Sequence, residues 1–248
     1  MNSLKPMNFI LDLHCHTISS GHAYSTLTEN AAHAAAIGLT HMGIADHGPN
    51  MPGGAHLFHF MNMGVLPKTI HGVNILKGME ANIITYDGEL DLPKMALEKM
   101  DFVIASLHRV VIPSGSKNAN TRAIINAMQN PNVHIIGHPN DVSFDIDIED
   151  VVKAAAATRT IIEINNSSLI PGSFRFDGYE DIKKTIALCK VYGVNILASS
   201  DAHFSQSVGQ FDMAKPLIEA AGMPEELVVN TGADRLRSAI QAKKALLL

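Results

Sequence analysis

The stretch FILDLHCHTISSGHAYSTLT (residues 9–28) begins with a short apolar run and then places His14, His16 and His22 within nine positions. Extended chain alternates its side chains, so His14 and His16 share a face with Asp12 while Cys15 points the other way. Cys15 is therefore expected to pack. Asp12 is expected to accept a ring N–H from His14 and fix its tautomer, as a carboxylate behind a metal-binding imidazole does. What makes this stretch decisive for the fold is that its order, apolar run then ligand-type residue then helix, recurs along the chain.

Strand-like apolar runs fall at 9–13, 41–45, 73–79, 102–106, 133–137, 160–164 and 194–198. Helical patterns lie between them at 28–38, 93–100, 120–129, 147–157 and 179–192, with two more near 209–221 and 232–245. Thr28-Glu29 opens the first helix, and Gly38 and Gly193 read as helix stops. Strands separated by crossover helices pair in parallel, and continuous apolar strands are buried on both faces. The expectation is an α/β fold, a closed or nearly closed seven-stranded β/α barrel, with an open doubly wound sheet as the rival. Residues 1–248 read as one domain. Gly48, Pro49, Pro52, Gly53, Gly54, Gly64 and Pro67 make 46–72 a long loop with one helical turn, and loops of that length are usually functional.

The residues after each strand candidate point to chemistry. The first strand is followed by His14 and His16, the second by Asp46-His47, the third by Glu80, the fourth by His108, the fifth by His138 and the seventh by Asp201 and His203. Asn165 is the polar residue that the sixth supplies. In a parallel barrel these ends converge on one mouth. A lone histidine is ordinarily a core or surface residue, but independent histidines have no reason to follow successive strands. With His22 the set is seven imidazoles and two carboxylates. A catalytic metal takes about three protein ligands and keeps one position open, so nine ligands with one bridging carboxylate suit three metals better than two. Imidazole-rich sites favour zinc, with manganese and iron as alternatives where carboxylates join. His33, His41, His71 and His134 read as structural, whereas His56 and His59 sit in the long loop, where they would fold over the mouth.

Composition narrows the classes. The chain has thirteen histidines, two cysteines and no tryptophan, with a formal net charge of −5. Cys15 and Cys189 cannot build a disulfide framework, so a metal must use nitrogen and oxygen. An acidic balance argues against a surface for nucleic-acid backbones. Lys5 and a few apolar residues make too short a run for a signal-peptide core, and no stretch of about 18 apolar residues occurs, so a cytoplasmic location without membrane association is expected.

At this point the motifs resemble the PHP family of polymerase and histidinol phosphatase domains. The residues that carry the resemblance are DLHCHT at 12–17, ADHG at 45–48, GMEANI at 78–83, SLHR at 106–109, GHP at 137–139 and SSDAH at 199–203. HAYST after the first motif and EINNSS before the last look like the YcdX-type phosphatase branch. The resemblance implies a distorted seven-stranded (β/α)7 barrel with a trinuclear centre. It implies one metal at His14, His16, Glu80 and Asp201, a second at Glu80, His108 and His138, and a third at His22, His47 and His203.

The activity expected is hydrolysis of a small-molecule phosphate monoester by a metal-held hydroxide, with Glu80, Asp201 and His203 as catalytic residues. Metal binding lowers the pKa of water from about 15.7 to about 7. Arg109, next to His108, and Arg175 are read as phosphate contacts, the latter set against an ordinary exposed arginine, and Asn165 as a third substrate-binding residue. A homo-oligomer is left open. The rivals are a phosphodiesterase or nuclease of the same family, a metal-binding barrel without activity, and a carbon–nitrogen hydrolase on a similar barrel.

Overall fold

The computed structural model describes residues 6–173 and 175–247; Lys5 lies outside them. The parallel α/β alternation is present, distributed over two sheets. The first holds β1 (Leu11–Asp12), β2 (His41–Ile44), β3 (Thr69–Ile70) and β4 (Val73–Lys77) in the order β1-β2-β4-β3. The second holds β5 (Glu80–Asn82), β6 (Ile104–Ser106), β7 (Ile135–Ile136), β8 (Ile161–Asn165) and β9 (Ile196–Ser199) in chain order. Every pairing is parallel except β3 against β4.

The helices are α1 (Leu27–Ala36), α2 (Leu57–Met61), α3 (Lys94–Leu97), α4 (Lys117–Met128), α5 (Ile148–Thr158), α6 (Tyr179–Tyr192), α7 (Ala214–Ala220) and α8 (Ala233–Leu247). The first begins one turn-position earlier than Thr28 suggests. Thr26 is its N-cap, and the Glu29 side chain answers to the Thr26 backbone N–H, a reciprocal capping box. Gly193 closes α6 in the left-handed region as expected. The loop at 46–72 holds more order than its glycines and prolines announce: α2, a 3-10 turn at Met63–Val65 and the antiparallel β3.

The strand expected at 73–79 is two. β4 stops at Lys77, Gly78 and Met79 follow, and β5 resumes at Glu80 in the other sheet. Gly78 is there because the fully buried Phe102 ring lies against its backbone, where an added Cβ would come within 2.2 Å of the ring. Break and plug together let the chain leave one sheet and enter the next.

Among the described residues, two single-residue parallel bridges join the two sheets: His47 with Glu80, and Cys15 with Ala202. At the second, His16 N–H donates to Ala202 O (2.8 Å) and Ala202 N–H to His14 O (3.1 Å). Asn230 completes this junction from below. Its amide donates to Leu11 O (3.1 Å) and Ala198 O (2.7 Å) and accepts from Ala198 N–H (2.8 Å), spanning β1 and β9 where their backbones do not pair. Ligand candidates thus sit at or beside both junctions.

At the opposite end, α8 buries Lys243. Its ammonium group donates to Met128 O (2.7 Å) at the end of α4 and to Thr160 Oγ1 (2.6 Å) ahead of β8. Burial lowers its pKa from the ordinary 10.5 to about 7. The unfolded chain therefore binds this proton more tightly than the folded one, and stability should climb as pH rises from about 7 to about 10.5. Urea unfolding of the EDTA-treated protein across that range checks it: Lys243→Met should flatten the climb, and an unchanged slope would assign it to other groups.

Candidate metal centre

Glu80, at the start of β5, is the middle of the site. It is fully buried, and its Oε2 lies 2.7 Å from His47 Nδ1, 3.3 Å from His14 Nε2 and 3.6 Å from His16 Nε2. Its Oε1 lies 2.9 Å from His138 Nε2 and 3.2 Å from His108 Nε2. Asp201, after β9, faces the other side: Oδ1 is 3.2 Å from His16 Nε2 and 3.5 Å from His14 Nε2. His203 Nε2 and His22 Nε2 are 3.0 Å apart at the more open edge. All nine residues expected as ligands are brought to one mouth.

Most of these rings are oriented from behind. His14 Nδ1 contacts Glu163 Oε1 at 2.6 Å, and His203 Nδ1 contacts Asp201 O at 2.9 Å. Carboxylates and carbonyls only accept, so both Nδ1 atoms carry the proton and both Nε2 lone pairs face inward. The Ser20 hydroxyl donates to Asp46 Oδ1 (2.6 Å), which leaves its oxygen to accept from His16 Nδ1 (3.0 Å). The Asn82 amide donates to Asp91 Oδ2 (2.6 Å), which turns its carbonyl toward His108 Nδ1 (2.8 Å). Gly48 belongs to that last chain, because a Cβ there would fall 2.4 Å from the Asp91 carboxylate.

Each of these supports corrects or extends the sequence reading. The partner of the His14 ring is Glu163, not Asp12. Asp12 instead accepts from Gly209 N–H (2.8 Å), the Ser200 hydroxyl and the backbone N–H groups of His14 and Ser200, which ties the end of β1 to the loop after β9. Glu163 was legible in principle: it breaks the apolar run of β8 and shares parity with Asn165. Asn82 likewise shares parity with Glu80. Asp91 carried no such signal, since it comes from a separate loop.

Other residues take tasks different from those expected. His59 reaches Asp46 Oδ2 at 3.3 Å and His56 caps α2 by accepting from Phe58 N–H, so the loop offers Met51 and Pro52 to the mouth rather than its histidines. Arg175 is buried, with a nitrogen 2.6 Å from Asp201 Oδ2, and is not an exposed arginine. Asn165 donates to Glu163 Oε2 and Asp201 Oδ2, both at 3.2 Å, and accepts from Ser168, so its amide is occupied within the wall. Arg109 is exposed at the rim. Cys15 packs in the core as expected. His134, held structural, is buried and accepts from Val103 N–H; burial first, then Lys244 and Lys243, lower its pKa to about 3.

The electrostatics ask for a cation. Burial opposes the charge on Glu80 and Asp201, yet the imidazoles facing them, with Arg175 beside Asp201, hold both carboxyls well below the usual range. Burial likewise opposes a charge on His14, but Glu163, Glu80 and Asp201 raise its pKa well above the usual value. Asp46, raised by burial but hydrogen-bonded by His59 and Ser20, ends at about 2. His14 Nε2, His16 Nε2, His47 Nδ1 and Glu80 Oε2 are buried ligand atoms with no hydrogen-bond partner, a state that is costly without a metal. Three overlapping sets have ligand atoms within 4.8 Å of one another: His16, His47 and His203; His14, His16 and Asp201; and His47, Glu80 and His108. These residues could hold metal.

Two ligand candidates also carry strained backbone. His138 and Asp201 have φ of 26° and 54°, left-handed values that non-glycine residues rarely adopt. Such strain persists only where the surroundings hold it. Outside the ring of ligands opens a cavity of about 670 Å³, lined further by Met51, Pro52, Arg109, Val110, Asp141 and Ser143. That is a volume for a small metabolite.

The PHP domain model matches residues 12–167. A probable phosphatase of Thermoanaerobacter sp. (strain X514) is 50% identical over 239 residues, covering 96% of this chain and 97% of the relative. Another, from Clostridium novyi (strain NT), is 43% identical over 240 residues, covering 97% and 98%. Among solved structures, histidinol phosphate phosphatase from Lactococcus lactis subsp. lactis Il1403, complexed with zinc, L-histidinol and phosphate, superposes with a TM-score of 0.55 at 18% identity, covering 86% of this chain and 94% of that one. At that identity the likeness is one of fold.

The support behind His108 is open to a direct test. Asp91→Ala strands the N–H and the side-chain amide of the buried Asn82, while water can meet the exposed Asn50 N–H, and unmet buried donors cost about 1–3 kcal/mol each. Denaturant unfolding should register a loss in that range or above; a loss under about 0.5 kcal/mol would show that water replaces the carboxylate.

Proposed function

The chain belongs to the PHP domain family, and on that premise we propose that it is a metal-dependent phosphatase acting on phosphate monoesters of small molecules. The observation that carries the reading is the convergence of four buried, unpartnered ligand atoms on Glu80 and its neighbours at the base of a metabolite-sized cavity. The metals are three per chain, zinc first and manganese or iron as alternatives. His14, His16, Glu80 and Asp201 hold one, Glu80, His108 and His138 a second, and His22, His47 and His203 the third. The architecture proposed around them is a distorted seven-stranded barrel. In it β4 and β5 count as one broken strand and the two bridges close the ring, within a single domain over 1–248 and a cytoplasmic protein.

Metals bound there supply water of lowered pKa and positive charge against the ester oxygens. The chain's own residues do the remaining work. Glu80 presents one oxygen to each side of the cluster, and Asp201, fixed by Arg175 and Asn165, presents Oδ1 to His14 and His16. His203, with its Nδ1 proton on a carbonyl, keeps Nε2 toward the cavity edge beside His22. Glu80, Asp201 and His203 are the catalytic residues of this reading. Arg109 at the rim and Arg175 in the wall meet the phosphate from the protein side. Asn165 acts on the substrate through Asp201.

Purified protein should carry about three transition-metal ions per chain; fewer than two across several preparations would sink the trinuclear reading. It should hydrolyse p-nitrophenyl phosphate in preference to a single-stranded oligonucleotide, and the reverse preference would favour the nuclease. His108→Ala should abolish turnover without unfolding the protein. A panel of phosphorylated metabolites assayed with zinc, manganese and iron would then name the substrate.

A further inference from the structure

Glu163 is none of the nine residues assigned to metals, yet three ligand-bearing segments refer to it. Its carboxylate is buried on β8 and accepts four hydrogen bonds. Oε1 takes the His14 ring N–H (2.6 Å) and the Ser199 hydroxyl (2.5 Å). Oε2 takes the His138 backbone N–H (2.5 Å) and the Asn165 amide (3.2 Å), which also donates to Asp201 Oδ2. One oxygen therefore orients the ring of a ligand of the first proposed metal, and the other holds the backbone of His138, a ligand of the second. His138 needs holding, because its φ of 26° is left-handed.

We propose that Glu163 is a positioning residue that couples the loading of these two metals, so that weakening its hold on either segment lowers affinity at both. The inference rests on the multinuclear reading above. The chemistry of the four donors makes it specific. Each carboxylate oxygen accepts two hydrogen bonds, and no neutral side chain of the same shape can do that. In Glu163→Gln the amide oxygen serves one pair of donors and the NH₂ group is aimed at the other, so either His14 or His138 loses its hold while the volume stays the same. Removing a carboxylate behind a metal-binding imidazole typically costs about 10–100-fold in metal affinity.

The test is competitive titration of metal-free wild type, Glu163→Gln and Ser199→Ala with Zn²⁺ against a chelating indicator, repeated with Co²⁺ and its visible spectrum. Ser199→Ala removes one bond from the same carboxylate without touching a ligand, so it measures the loss of packing and network alone. For Glu163→Gln, two of about three Zn²⁺ should weaken together by about 10–100-fold. The metal at His22, His47 and His203 should hold, and Ser199→Ala should titrate as wild type. Unchanged affinities in Glu163→Gln, loss of only one metal, or loss of all three alongside a collapse in melting temperature would each overturn the proposal. Wild type holding fewer than two metals would sink the trinuclear reading instead. Glu163 would then be judged on whatever metal wild type binds, and equal affinity in Glu163→Gln would overturn its role as well.

Discussion

Everything in this molecule turns on keeping Glu80 charged in the dark interior of a β/α fold. An isolated buried carboxylate is expensive, and a protein that retains one must pair it. Here five imidazole nitrogens, from His14, His16, His47, His108 and His138 on four separate segments, close around the carboxylate, and its pKa is held well below the usual range. None of these segments can shift without leaving part of the carboxylate exposed to apolar surroundings. The site is thus also a fastening: the same contacts that prepare a metal centre hold the two sheets at fixed distance.

That double duty explains where the strands are short. β1 and β7 are two residues each, and β5 and β6 three, far below what backbone ladders alone would make durable. The missing ladder is replaced by side chains. Asn230 spans β1 and β9, Asp12 gathers four donors from the same junction, and Glu163 gathers four more from β1, β7, β8 and β9 and the segments that follow them. Each of these groups is buried and nearly saturated with hydrogen bonds, the condition under which polar networks specify structure rather than weaken it. The strained φ values at His138 and Asp201 are the local cost of directing side chains inward from such short strands.

Much of this was legible in the sequence, for a physical reason. Strand direction and side-chain parity are local properties, so a ligand-type residue after each apolar run predicts convergence without any knowledge of distance. That argument brought eight of the nine ligand candidates to one mouth, all but His22, which follows no strand end, and it put Cys15 in the packing. It failed where the deciding partner comes from elsewhere. The parity rule puts Asp12 on the face of His14, but the carboxylate that reaches the His14 ring stands on β8, about 150 residues on. Arg175 reads as a phosphate contact or an ordinary exposed arginine, and only the fold buries it and brings Asp201 to it. The break between β4 and β5 depends on Phe102, whose ring occupies the space that a Cβ at Gly78 would need.

The same division between local and remote separates chemistry from specificity. The ligand candidates and their supports stand on strand ends and on carboxylates locked in the core, where a change of one residue disturbs several hydrogen bonds. The cavity beyond them is walled by loop residues, among them Met51, Pro52, Val110 and Ser143, whose side chains hold no ligand candidate in place. Those positions are free to vary without disturbing the charge balance around Glu80. A fold built this way keeps one reaction while changing its substrate, because the constraint that fixes the cluster ends at the strand ends and the loops begin just beyond it.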